Sequence, residues 1–236
     1  MVFNFLIRKF TKFLRKLLLG DFRQCAISKE IVNLITNNPP KTKIKLMDYG
    51  SGYFKPTIAE KVYNLLNLLG INTVFICLDL YSRKDLKDLN SKKNKMLKYY
   101  NINYLKKTSK DKFDYCIISD VLHHIKNDKT KKVGCENKES IISLLKNIKK
   151  KTKHIIIKDH YENNLYDRLL LLILDFMGNY QNLTALPKKY FTKKLFNQIL
   201  KESKLKVVKK IYNRKYYPNF FLFFAKPSLH FMYLLK

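Results

Sequence analysis

Between Ile44 and Gly52 the chain reads IKLMDYGSG: an apolar, strand-like run, a carboxylate at Asp48, then two glycines leading into a helical pattern over residues 55–69. Glycines in such a turn let the backbone bend tightly and let a ligand come close to its amides. The turn also falls at the carboxyl end of a strand, where open α/β sheets bind their ligands. A nicotinamide or flavin fingerprint needs a further glycine three residues after Gly52, and Lys55 stands there, which counts against a dehydrogenase. The plainer reading, a turn that merely needs two glycines, stays open at this point.

From this junction onward strand and helix patterns alternate, as in a mostly parallel sheet with crossover helices. The predicted strands cover residues 44–48, 73–79, 99–104, 113–119 and 154–159, with helices between them at about 55–69, 83–89, 121–126 and 139–149. Further helices are predicted at about 165–177 and 192–203, and the chain closes with strands at 206–212 and 220–226. No long helix separates that last pair, so antiparallel pairing at the sheet edge is expected. The lysine-rich residues 126–138 read as a surface loop. Ahead of the sheet, Phe3, Leu6, Ile7, Phe10, Phe13, Leu14, Leu17 and Leu18 recur at helical spacing, opposite Arg8, Lys9, Lys12, Arg15 and Lys16. That pattern predicts a basic amphipathic helix. A second helix, at about 28–36, stops at Asn37-Asn38-Pro39-Pro40. The expected division is an N-terminal helical cap over residues 1–40, an α/β domain over 41–227 and a short apolar tail over 228–236.

Length and composition bound the partners. The 236 residues are enough for one α/β domain whose core needs neither disulfides nor metal. The formal net charge of +30 has two readings. It suits a surface for anions such as nucleic acid, acidic headgroups or an acidic substrate. It equally suits codon bias, since lysine abounds while alanine occurs only at Ala26, Ala59, Ala185 and Ala225, and arginine, the better bidentate phosphate ligand, is scarce. Cys25, Cys77, Cys116 and Cys135 form no C-x-x-C pair, so neither a zinc site nor a disulfide framework is expected, and a reducing cytoplasm is the simpler setting. The longest apolar run, residues 169–174, ends at Asp175, far short of the roughly 20 residues that span a bilayer. The basic first helix, residues 1–19, fits either an anionic surface at the inner membrane face or a lid on the domain.

The motif LMDYGSGYF resembles the first motif of class I S-adenosylmethionine-dependent methyltransferases. FICLDLY places Asp79 where that family holds the cofactor's ribose hydroxyls, and FDYCIISDVLHHI resembles the fourth-strand motif of its small-molecule members. The resemblance covers about residues 41–227. It implies a Rossmann-like α/β fold: a three-layer α/β/α sandwich on a mostly parallel seven-stranded sheet with an antiparallel C-terminal strand. It implies S-adenosyl-L-methionine as cofactor, bound by Asp48, Gly50, Ser51, Gly52, Asp79, Leu80, Ser119 and Asp120. IIIKDHYENN, LDFMGNY and LPKKYFT are similar to segments of a bacterial subgroup acting on small or lipid-like acceptors, which implies Asp159, His160, Asp175, Asn179 and Tyr190 as acceptor-pocket residues, with His123 of the fourth-strand motif also expected to bind the acceptor. Two departures stand out: Phe54 replaces the family's frequent third glycine, and the Asp48-to-Asp79 spacing is long.

Methyl transfer asks mainly for in-line positioning, because the sulfonium is already electrophilic. A hydroxyl acceptor must also lose a proton, a task suited to imidazole. His124 and His160 are the candidate bases, with Asp159 orienting or assisting, although either of the consecutive His123 and His124 can simply pack beneath the cofactor. His154 and His230 read as structural. Methylation of nucleic-acid bases is the less favoured alternative, since Ser119-Asp120-Val121-Leu122 stands where an Asn/Asp-Pro-Pro-aromatic motif belongs. Asn38-Pro39-Pro40 precedes the first strand and runs into Lys41, so it reads as a linker. A non-catalytic cofactor-binding scaffold is the second alternative.

Overall fold

Seven strands share one sheet: β1 (Lys43–Tyr49), β2 (Asn72–Asp79), β3 (Leu97–Asn101), β4 (Phe113–Ser119), β5 (Thr152–His160), β6 (Val207–Tyr212) and β7 (His230–Leu235). Their spatial order is β3-β2-β1-β4-β5-β7-β6. The first five run parallel, and β7 runs antiparallel to both of its neighbours. The computed structural model describes residues 21–37, 43–52, 57–80, 86, 90, 96–104, 111–126, 131–179, 186–217, 219, 222 and 226–236, apart from the side chains of 21 and 177–179. The predicted helices at 3–18 and 83–89 and the predicted strand at 220–226 lie wholly or mostly outside these residues.

Side-chain alternation along the strands builds two cores. On one face Leu46, Phe75, Ile117, Ile156 and Met232 meet Ile27, Ile31 and Leu34 of α1 (Asp21–Thr36) and Val62 and Leu66 of α2 (Ile58–Leu68). On the other, Met47, Ile76, Cys116, Ile118, Ile155 and Phe231 meet Ile141, Leu145 and Ile148 of α3 (Lys138–Lys149) and Phe196 and Ile199 of α5 (Lys193–Glu202). Between α3 and α5 the chain forms α4 (Leu165–Asn179). The result is the predicted three-layer sandwich, because strands buried on both faces must be covered on both. Thr57 and Glu60 set the start of α2 with a reciprocal capping box, Thr57 Oγ1 accepting from the Glu60 amide at 3.1 Å and Glu60 Oε2 from the Thr57 amide at 2.9 Å.

Strand order reverses at β1: the chain builds outward to β3, then returns to lay β4 on the other side of β1. The crevice above the carboxyl ends of β1 and β4 is therefore the place where such a sheet binds ligands.

Three expectations change. β6 pairs with His230–Leu235, so part of the supposed apolar tail is a strand with all six residues buried between β5 and β6. A strand covered on both faces needs no polar alternation, which is why HFMYLL read as a tail. The helix expected at 121–126 is a single 3-10 turn, Leu122–His124. The supposed surface loop after it is anchored: Lys126 bridges to Val133, and Gly134, Cys135 and Asn137 are buried in a second 3-10 turn.

Candidate active site

Gly50 and Gly52 both adopt left-handed conformations, with φ of 78° and 74°. They are glycines for different reasons. A Cβ at Gly50 would stand 2.3 Å from a Val121 methyl carbon, so this glycine admits the segment following β4. Among the described residues a Cβ at Gly52 would meet nothing within 4 Å. The Gly50 and Ser51 amides donate to the Leu78 carbonyl at 2.7 and 3.2 Å, lashing the turn to β2. Asp79, the last residue of β2, completes it: Oδ2 accepts from the Gly52 amide at 2.7 Å and Oδ1 from the Leu80 amide at 2.6 Å. Burial raises the Asp79 carboxyl against those two amides. Asp48, almost fully buried behind the turn, is pushed up to about 8 by burial and by Asp79.

A buried polar cluster occupies the carboxyl ends of β4 and β5. Asp120 sits in the left-handed region at φ 56° and pairs with Arg23 from α1 and Lys158 from β5. Ser119 Oγ donates to Asp120 Oδ2 at 3.3 Å. Burial alone would raise Asp120, but Arg23 and Lys158 overwhelm it and hold the carboxyl well below its usual range. Burial brings Lys158 down to about 8. Asp159 points to the other face of β5 and accepts from His123 Nδ1 at 2.5 Å, the Leu122 amide at 3.1 Å and the His160 amide at 2.8 Å. Asp175 Oδ2 accepts from the Tyr190 hydroxyl and lies 3.3 Å from His123 Nε2. Burial opposes charge on His123, yet Asp159 and Asp175 keep its imidazole well above the ordinary range, while Asp175 is lowered to about 2. Three cations (Arg23, Lys158, His123) thus face three carboxylates (Asp120, Asp159, Asp175), the balance that buried charge requires.

No family model matches the sequence, and no curated protein matches it. Solved structures do match. An S-adenosylmethionine-dependent methyltransferase from Clostridium acetobutylicum aligns over 98% of this chain and 98% of its own, with a TM-score of 0.58 and 12% identity. Another from Leishmania major covers 92% of this chain and 74% of its own, again at 0.58 and 12%. Mitomycin 7-O-methyltransferase covers 82% of this chain at a TM-score of 0.53 and 14% identity, and the chain spans 48% of that protein's length.

This is the fold of the S-adenosylmethionine-dependent methyltransferases.

On the methyltransferase fold the expected cofactor residues gather at one end of β1, β2 and β4. Asp48, Gly50, Ser51, Gly52, Asp79 and Leu80 form one contiguous turn, and Ser119 and Asp120 end the adjacent β4. His123, Asp175 and Tyr190, three of the residues expected to bind the acceptor, meet in one group; the side chain of Asn179, at the end of α4, lies outside the described residues. The expected pairing of Asp159 with the ring of His160 is not the one the geometry gives. Asp159 orients His123, not the ring of His160, because the buried side of β5 turns its carboxylate toward the 3-10 turn. His160 is buried with Nδ1 unbonded, 3.4 Å from Asp159 and 3.5 Å from Asp120, and burial with Lys158 nearby lowers its imidazole. That leaves His124 as the partly exposed imidazole of the group.

Arg23 and Lys158 belong to the cluster and were not anticipated; His230, read as structural, packs edge-on against His160 with ring centroids 4.8 Å apart. A signal for the arginine existed. In a lysine-rich chain with six arginines, each of the three among the described residues pairs with a carboxylate: Arg23 with Asp120, Arg168 with Glu162, Arg214 with Glu30. Lys158 interrupts the apolar run of β5, and a lysine inside a strand buried on both faces must find a counter-charge.

Proposed function

We propose that this chain is an S-adenosylmethionine-dependent methyltransferase acting on a small-molecule acceptor. The carrying observation is the junction of Gly52 and Asp79. No described residue stands within 4 Å of where a Gly52 Cβ would be, and each Asp79 oxygen accepts one backbone amide, leaving each a further acceptor site for two adjacent ribose hydroxyls. A scaffold that had abandoned the cofactor would have no need of a carboxylate held in this way beside two left-handed glycines.

When bound, the cofactor supplies an electrophilic methyl group. The protein's part is to orient the acceptor and take its proton. His124 is suited to receive it, since it is partly exposed at the end of β4, whereas His123 already carries a proton between two carboxylates and His160 is buried. Asp175 and Tyr190 hold the far wall of this group and act as positioning residues. An apolar part of the acceptor, lipid-like or aromatic, suits α4, which exposes Leu165, Leu169, Ile173 and Phe176 at helical spacing. Mitomycin 7-O-methyltransferase, of like fold, is named for a small-molecule acceptor.

The test is thermal unfolding with and without S-adenosylhomocysteine. Ligand at a hundred times its dissociation constant adds about 2.7 kcal/mol of stability, and Asp79→Ala removes the gain. No shift in the parent protein would leave the scaffold reading in its place.

A further inference from the structure

We propose that His123, His124 and Asp175 bind one divalent transition-metal ion of the zinc type on the acceptor side of the site. The ligand atoms these three residues offer lie within 4.8 Å of one another. His123 is prepared for the task. Its Nδ1 is committed to Asp159, which fixes the ring and directs Nε2 away from that carboxylate. A carboxylate behind an imidazole is the usual support of a metal-bound histidine. Nε2 itself is fully buried and makes no hydrogen bond, although Asp175 Oδ2 is 3.3 Å away. Two atoms each about 2.1 Å from one ion stand roughly 3.0 Å apart at a right angle and roughly 3.4 Å apart at the tetrahedral angle. The observed gap lies in that interval, and the oxygen is off the line of an N–H donor.

The remaining parts agree. Tyr190 donates to Asp175, holding the carboxylate in place. The 3-10 turn carrying both histidines is braced by the Gly134 amide, which donates to the Ile125 carbonyl at 2.9 Å. Two imidazoles and one carboxylate suit zinc, iron, cobalt or nickel in preference to magnesium or calcium. Three protein ligands leave a position open, and His124, one of the three, is partly exposed. The overlapping group of His123, Asp159 and His160 is the poorer site, because Asp159 already accepts three hydrogen bonds. An acceptor oxygen at the open position would have its proton acidity raised by the ion and would give that proton to solvent water, since His124, as a ligand, no longer serves as its base. This role rests on the methyltransferase reading; binding of the ion does not.

The experiment titrates Co2+ into the metal-stripped full-length protein and follows visible d–d absorption, with the S-adenosylhomocysteine thermal shift measured on the same samples. The expected result is a saturable one-to-one spectrum that Zn2+ displaces. His124→Ala and Asp175→Asn each weaken Co2+ binding by roughly tenfold or more, while His160→Gln leaves the spectrum intact. His124 is partly exposed, so its variant keeps the fold and carries the test if Asp175→Asn does not. Absence of bands in protein that still shows the thermal shift overturns the metal site and leaves a proton on His123 as the permanent occupant. Bands that survive both ligand variants overturn it as well. Bands without any thermal shift keep the site and remove the methyltransferase reading instead.

Discussion

At the scale of residues, the site is organised by carboxylates whose surroundings differ. Asp48 keeps its proton to about pH 8 in the folded chain, against about 4 for an unfolded aspartate. The folded state therefore binds more protons between those values, and stability falls as pH rises from about 4 to about 8. Urea titrations at pH 5, 7 and 8.5 are expected to show this slope, up to about 1.4 kcal/mol per pH unit, and Asp48→Asn is expected to abolish it. Equal slopes in parent and variant would mean that Asp48 ionises freely. Asp120 behaves oppositely, as the anion that neutralises both Arg23 and Lys158. Asp120→Ala is expected to cost about 3–5 kcal/mol, because two buried cations lose their partner; a loss below about 1 kcal/mol in denaturant would show that water already serves them. Asp48 could be read in advance because it ends an apolar strand just before the glycines, and Asp79 because FICLDLY resembles the family's second acidic motif. Arg23 and Lys158 could not be paired in advance, because nothing local says which carboxylate they meet.

Turns, more than helices, decide the elements of the site. Gly134 has φ of 59°, and a Cβ there would stand 2.4 Å from the His123 carbonyl oxygen. Gly52 has a similar φ, but no described residue would meet its Cβ within 4 Å. Gly52→Ala is thus expected to cost about 1–2 kcal/mol for the left-handed backbone alone. Gly134→Ala should cost measurably more, since two backbone segments must part, and melting curves of the two variants compare them directly. Equal losses would show that the His123 turn yields. Gly52→Ala should in addition weaken the S-adenosylhomocysteine shift. The motif DVLHHI was legible as a signature, yet its shape as a single 3-10 turn was not. Ile125 ends the turn by accepting from Gly134, a contact made by a segment whose lysines read as a solvent loop.

For the whole molecule, β7 carries the sheet across from β5 to β6. Removing residues 228–236 is expected to abolish cooperative unfolding, because Phe231, Tyr233 and Leu235 on one face and Met232 and Leu234 on the other leave both cores. A truncated chain with a sharp melt near the parent's would return this segment to the status of a tail. No helix among the described residues is long and apolar enough to cross a membrane. The basic pattern of residues 1–19 predicts binding to anionic vesicles that weakens with salt and with removal of those residues; equal sedimentation by the shortened protein would discard that segment as the anchor.

The amino-acid sequence by itself determined the parallel strands up to β5, the layered architecture and the glycine turn flanked by Asp48 and Asp79. All of these rest on local physics: strand and helix periodicity, positive φ at glycine, and a carboxylate placed at a strand's end. Only the tertiary structure decided that Asp159 serves His123, that Asp120 gathers Arg23 from 97 residues away, and that the last strand slots between β5 and β6. Such pairings follow from which buried charges meet once the sheet has closed, and sequence distance carries no record of that meeting.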